Sequence, residues 1–219
     1  MNIKKLTVWT VLGIIVIAFL FGMNKYQRGV QKSQEQKAAE QDSRLVRMHS
    51  PVFGPQNAKV TIVEFFDPAC EACRAFYPFV KDLLRQYPND VRLVLRYAPF
   101  HQGSSEVVKI LDAAKRQGNL LPVLEAVLQA QPQWATHHGS PRLEVAYQAA
   151  EAAGLDLQKA LNDAQTPQAE AMLKQEVEDL TSLEVKKTPT FFVNGRTLAS
   201  FGPDQLAALV AEEVGKSRK

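Results

Sequence analysis

Cys70 and Cys73 are the only cysteines of the 219-residue chain. They end the segment Phe65-Phe66-Asp67-Pro68-Ala69-Cys70-Glu71-Ala72-Cys73, where an apolar strand pattern gives way to a helical one. A thiol at the first turn of a helix faces backbone N–H groups without intrahelical partners and the positive end of the helix dipole, so its thiolate is stabilised. A second thiol one turn later is placed to attack a mixed disulfide formed on the first, as thiol–disulfide exchange requires. The same spacing serves half of a zinc site, but tetrahedral zinc needs two further ligands. Only His49, His101, His137 and His138 supply nitrogen, and the adjacent pair His137-His138 suits an exposed turn better than chelation. No metal is expected. An inert structural bridge is the other alternative, although one closing so short a loop constrains the unfolded chain little.

Upstream, Val60-Thr61-Ile62-Val63-Glu64-Phe65-Phe66 reads as a buried, β-branched strand with one intruder, Glu64. A carboxylate in such a strand is costly unless it titrates or has a partner. The alternative is a glutamate at the strand end that faces water. Far downstream, Lys187-Thr188-Pro189-Thr190-Phe191-Phe192-Val193-Asn194-Gly195 places Thr-Pro directly before a strand that ends in an Asn-Gly hairpin turn. X-Pro is the one bond at which a cis peptide is cheap; a trans Thr-Pro at a strand start is the competing reading.

An acid six residues before a C-x-x-C, Pro78 five residues after it and Thr-Pro before a late strand together resemble the thioredoxin superfamily, especially its DsbA-like branch. The resemblance implies that Cys70 is an exposed nucleophile, Cys73 the resolving thiol and Glu64 a buried proton relay beneath Cys73. It implies a cis bond at Thr188-Pro189, in a loop that packs against the cysteines. Thr188, Pro189 and Thr190 would then hold an incoming chain as a short added strand. Pro78 would kink the active-site helix. The Cys70–Cys73 disulfide is itself the redox group, and no separate cofactor is implied.

Two departures from the DsbA pattern stand out. Many relatives carry Pro-His between the cysteines, where this chain has Glu71-Ala72 as modulating residues. A carboxylate beside Cys70 disfavours a second negative charge, so Glu71 is expected to push the Cys70 pKa up and make the disulfide less oxidising. The second is Pro99-Phe100-His101-Gln102-Gly103, a compressed version of a proline-hydrophobic-histidine stretch. His101 either lies near the active-site face or merely caps a helix. Asp67 and Pro68 are expected to shape the surface around Cys70 rather than do chemistry.

The elements that must position these residues are legible from residue 48 onward. Val52-Phe53-Gly54 opens the domain, Lys59–Phe66 is the first central strand, a helix runs from Glu71 to about Tyr87, and Val91–Tyr97 is the next strand. No convincing strand occurs between Ser104 and Leu183. Ser104 or Ser105 is expected to cap one helix, Ser140-Pro141 to start another, Gly154 to end it, and Thr166-Pro167 to start a long helix ending near Leu183. Trp134 is expected in the core. Pro203–Val214 reads as a closing amphipathic helix. The expected fold class is α/β: a thioredoxin-like domain over 48–219 with an all-helical insert at about 104–183, preceded by one transmembrane helix.

That helix is Leu6 to Met23, an apolar run of eighteen residues after Lys4 and Lys5. It is longer than the usual signal-peptide core and lacks a small-x-small cleavage site, so an uncleaved signal anchor is favoured over a removed signal peptide. Residues 1–5 form a cytoplasmic tip and residues 24–47 a polar stalk without convincing heptads, which favours a monomer. Charge divides the same way. Residues 1–47 hold eight Lys/Arg against three acids, the remainder 18 against 20, so the formal +3 belongs to the anchor and stalk and argues for lipid headgroups rather than nucleic acid.

The function expected from these readings is a membrane-anchored thiol:disulfide oxidoreductase acting through Cys70 and Cys73 on thiol- or disulfide-containing protein substrates. Its domain lies on the periplasmic side of the inner membrane. A disulfide-donating oxidase served by a quinone-linked membrane partner is the first expectation. A reductase or isomerase fed by an electron donor, and a non-catalytic peptide-binding module, are the alternatives.

Overall fold

The computed structural model describes Met23, residues 43–136 and residues 139–218. The proposed tip, anchor and nearly all of the stalk, and the pair His137-His138, lie outside the described residues. Among the described residues no helix is long and apolar enough to cross a membrane.

Among the described residues, five strands form one sheet: β1 (Val52–Phe53), β2 (Val60–Phe66), β3 (Val91–Tyr97), β4 (Thr190–Val193) and β5 (Arg196–Thr197), in the order β1-β3-β2-β4-β5. β2 and β3 are parallel, with Glu64 opposite Leu95, and are joined by α1 (Glu71–Gln86). β4 pairs antiparallel with β2, setting Phe191 beside Glu64. The β4–β5 hairpin turns on Asn194 and Gly195, both at positive φ (48° and 78°), the geometry that Asn-Gly adopts at low cost. The Asn194 side chain accepts from the Thr61 N–H at 2.9 Å, which locks the hairpin to β2.

Among the described residues, five helices lie between β3 and β4: α2 (Ser104–Arg116), α3 (Leu120–Trp134), α4 (Leu143–Ala152), α5 (Leu157–Ala164) and α6 (Pro167–Ser182). α7 (Pro203–Ser217) closes the chain. Thr166 caps α6, its hydroxyl accepting from the Ala169 N–H at 3.3 Å. Two expected helix starts are corrected. Gly103, at φ 84°, is the N-cap of α2; Ser104 is the first helical residue and gives its hydroxyl to Asp67 instead. α4 begins at Leu143 rather than at Pro141. The Arg142 N–H donates to the Trp134 carbonyl at 2.9 Å and its guanidinium to the Gln133 carbonyl, so residues 140–142 are spent closing the end of α3.

Alternation along β2 sends Ile62, Glu64 and Phe66 to one face of the sheet and Val63 and Phe65 to the other. On the first face, α1 and α7 pack Val80, Leu83, Leu206 and Val210 against Val60 and Ile62. Beside them the insert helices build a second core that includes Phe66, Cys70, Cys73 and the fully buried Trp134. On the opposite face, Val63, Phe65 and Val94 meet Leu45, Leu180 and Val185. A buried ion cluster spans this face: Arg96 bonds Glu176 at 2.9 Å and Asp179 at 2.7 Å, Arg47 bonds Asp179 at 2.6 Å, and His49 meets Glu176 at 2.7 Å. It pins residues 44–50 to β3 and α6.

Candidate active site

Cys70 is the N-cap of α1, with extended backbone (φ −77°, ψ 119°), so its sulfur faces the first N–H groups of the helix. Both cysteines are free thiols here. The Cys70 pKa falls from 9.0 to about 5. The largest cause is the hydrogen bond from the Cys73 side chain, followed on the stabilising side by Thr188 and the N–H groups of Cys73 and Ala72, all working against burial. Cys73 moves the opposite way. Burial pushes it up first, then its hydrogen bond to Cys70 and the Glu64 charge, while the Asp67 N–H opposes them. The pair is thus divided into a stabilised thiolate and a held thiol, the asymmetry that exchange chemistry uses.

Cys70 is not the exposed sulfur expected from sequence: 7% of the residue is accessible, against 0% for Cys73. The cover comes from the loop before β4. The Thr188-Pro189 bond is cis, Pro189 is buried, and the Thr188 carbonyl lies 3.4 Å from Cys70 Sγ. Thr190 turns its hydroxyl to the Lys187 carbonyl at 2.7 Å, bracing the loop. Glu71 is exposed, and the net movement of Cys70 is downward, against the upward push expected from that carboxylate. Ala72 contributes its backbone N–H. Pro78 sits inside α1, past the cysteines.

Glu64 is 2% accessible, not a water-facing strand end. Burial raises its pKa from 4.5 to about 8, with the Cys70 charge adding to the rise. Glu64 lines an apolar cavity of about 190 Å³ with Phe66, Leu84, Leu93, Leu95 and Leu124, and Tyr77 and Lys81 also contribute to the wall. Proton gain or loss at Glu64 near neutral pH is therefore available next to Cys73.

Four residues around the site have partners that their sequence patterns do not reveal. Asp67 is not a surface residue: it is 0% accessible, and its N–H lies 3.4 Å from Cys73 Sγ. His101, with a side chain 44% accessible, sets its Nδ1 2.7 Å from Asp67 Oδ2 rather than reaching the sulfurs. Ser104 Oγ donates to Asp67 Oδ1. From the other side, Gln131 of α3 donates to the carbonyls of Pro68 at 2.8 Å and Cys70 at 3.0 Å, and accepts from Arg74 Nε at 2.9 Å. Only a polar residue inside the apolar pattern of α3 signals Gln131 in the sequence. Among the described residues no group of three or more His, Cys, Asp or Glu side chains is arranged to hold a metal ion.

Known proteins share this fold. A family model described as Thioredoxin matches residues 47–212. A thioredoxin-like oxidoreductase from Silicibacter pomeroyi DSS-3 is 28% identical in sequence and superposes with a TM-score of 0.66 over 81% of this chain and 96% of that one. BdbD from Bacillus subtilis, in its oxidised form, is 18% identical with a TM-score of 0.68 over 76% of this chain and 94% of its own. Among curated proteins, a Na(+)/H(+) antiporter NhaA from Herminiimonas arsenicoxydans is 30% identical over 145 residues, 66% of this chain and 22% of that protein. The chain spans about a quarter of the length of the curated relatives it matches. The family match, the shared fold and the paired cysteines under a cis-proline loop together mean that the chain belongs to the thioredoxin family, with the DsbA-like architecture of its thiol–disulfide oxidoreductases.

Proposed function

We propose that the chain is a membrane-anchored oxidase that donates the Cys70–Cys73 disulfide to protein thiols outside the cytoplasm. The observation that carries the direction is the fall of the Cys70 pKa to about 5. A stabilised thiolate favours the reduced enzyme, and so makes its disulfide a stronger oxidant. A substrate thiolate attacks Cys70 Sγ, the S–S bond breaks, and its electron pair leaves on Cys73, which takes up a proton. Glu64, with a pKa of about 8, is the acid at hand. A second substrate thiolate then attacks the substrate sulfur of the mixed disulfide and expels Cys70 as the thiolate. Two electrons have passed from substrate to enzyme, and a membrane partner linked to quinones would remove them. The Thr188-Pro189 loop offers its backbone to the substrate chain.

The apolar run of residues 6–23 supports the anchor. Relatives named as antiporters carry a similar segment within proteins that, by name, move ions across membranes, which supports a membrane-side location. The deciding experiment is the equilibrium constant of Cys70–Cys73 against glutathione in the full-length chain. A potential well above the glutathione couple supports the oxidase. One well below it makes the protein a reductase or isomerase, and no reversible exchange leaves a peptide-binding module.

A further inference from the structure

We propose that Asp67 is the positioning residue of the cysteine pair: its buried carboxylate ties the turn before Cys70 to the loop that opens the helical insert, and so holds the Asp67 N–H on Cys73. The inference rests on the exchange reading of this site.

Five donors converge on the carboxylate. Oδ1 accepts from the Ala69 N–H at 2.9 Å and from Ser104 Oγ; Oδ2 accepts from the N–H groups of Phe100 and His101 at 2.8 and 3.0 Å and from the His101 ring at 2.7 Å. A fully buried carboxylate is tolerated only with such a set of partners. The backbone of the same residue serves the cysteines. Its carbonyl accepts from the Cys70 N–H at 3.0 Å, and its N–H points at Cys73 Sγ at 3.4 Å. Each polar group of Asp67 is therefore committed, two of them to the active-site cysteines and the rest to what surrounds them.

The loop end of this clamp is itself fixed. Gly103 holds φ 84°, and a Cβ there would sit 2.8 Å from Pro141 Cγ, so residues 100–104 are wedged against the insert. The thiol end forms a relay. The Asp67 N–H donates to Cys73 Sγ, which makes the Cys73 S–H a better donor to the Cys70 thiolate. That second bond is the largest contribution lowering the Cys70 pKa. Loosening the clamp lengthens the first bond and weakens the second, so the Cys70 thiolate loses stabilisation and the disulfide becomes less oxidising.

The test compares Asp67→Ala, Asp67→Asn, His101→Ala and Ser104→Ala in the full-length chain. Three quantities are read: the pH profile of Cys70 alkylation, the equilibrium constant against glutathione, and thermal unfolding. Asp67→Ala is expected to raise the Cys70 pKa and to lower the equilibrium constant for reduction about two- to tenfold, the change produced by losing one ordinary hydrogen bond. Asp67→Asn, with one acceptor oxygen left, falls between wild type and Asp67→Ala. His101→Ala and Ser104→Ala shift both quantities the same way by less. A uniform loss of thermal stability with an unchanged pKa and equilibrium constant overturns the proposal. If Asp67→Ala does not fold, wild-type values in both His101→Ala and Ser104→Ala overturn it. Absence of reversible exchange in the wild type sinks the proposed function, whereas the alkylation profile, which needs no redox partner, still decides the role of Asp67.

Discussion

Replacing Glu64 with Gln should stabilise the reduced protein, and only at a pH where the Glu64 carboxyl ionises in the unfolded chain. The carboxyl titrates at 4.5 in an ordinary setting and at about 8 in the fold. Between those values the native state binds a proton that the unfolded chain has released, so stability falls as pH rises through this window. Below the window both states are protonated and the cost vanishes. Above it the full cost applies, roughly 5 kcal/mol at about 1.36 kcal/mol per tenfold, with about 3 kcal/mol already present at neutral pH. Gln copies the shape of the protonated acid without the titration. Urea unfolding of reduced wild type and Glu64→Gln from pH 4 to pH 9 should therefore give curves that meet at the acid end and diverge upward. Cys70 also titrates, but it does so in both proteins, and the part of its titration that does not depend on Glu64 cancels in the difference. The Cys70 thiolate raises the Glu64 pKa further, so the divergence should shrink in the disulfide form. Parallel curves, with a gap independent of pH, would refute the reasoning and make Glu64 a packing residue only.

Alkylation of Cys70 should rise with pH around a midpoint near 5, and Cys73→Ala should move that midpoint upward because it removes the largest source of the lowered pKa. The sign for stability follows: the advantage that the thiolate lends the folded reduced form is complete above its ordinary pKa of 9.0 and is lost as pH falls through about 5. Arg96→Met should cost about 3–5 kcal/mol in denaturant unfolding, since it leaves Glu176 and Asp179 buried without their shared partner. Arg85→Ala, which breaks an exposed pair with Asp82, should change stability by no more than about 1 kcal/mol. Equal effects from the two would contradict the burial argument.

The residues that break and make bonds announce themselves locally, and those that hold them do not. Cys70 and Cys73, Thr188-Pro189, Asn194-Gly195 and Thr166-Pro167 are short patterns whose backbone demands are met within a few residues, so their elements stand where the patterns put them. The cover over Cys70 arrives from a loop 118 residues away, which is why a sulfur read as open is nearly closed. Asp67 looks like a turn residue because aspartate before proline favours turns. Its burial is decided by Phe100, His101 and Ser104, 33 to 37 positions on, and no local pattern encodes that meeting. Arg96 is a second case of a partner supplied from afar. In Val-Arg-Leu-Val-Leu-Arg-Tyr the alternation puts Arg92, Val94 and Arg96 on one face, and α6 lies over that face and supplies Glu176 and Asp179 to receive Arg96. A central strand covered on both sides does not obey the alternation of a half-exposed one. The chemistry of this site is therefore carried by a nine-residue motif and a distant Thr-Pro. The asymmetry of its two sulfurs depends on contacts made between β2, the Phe100 loop and the insert, which exist only once the chain has folded.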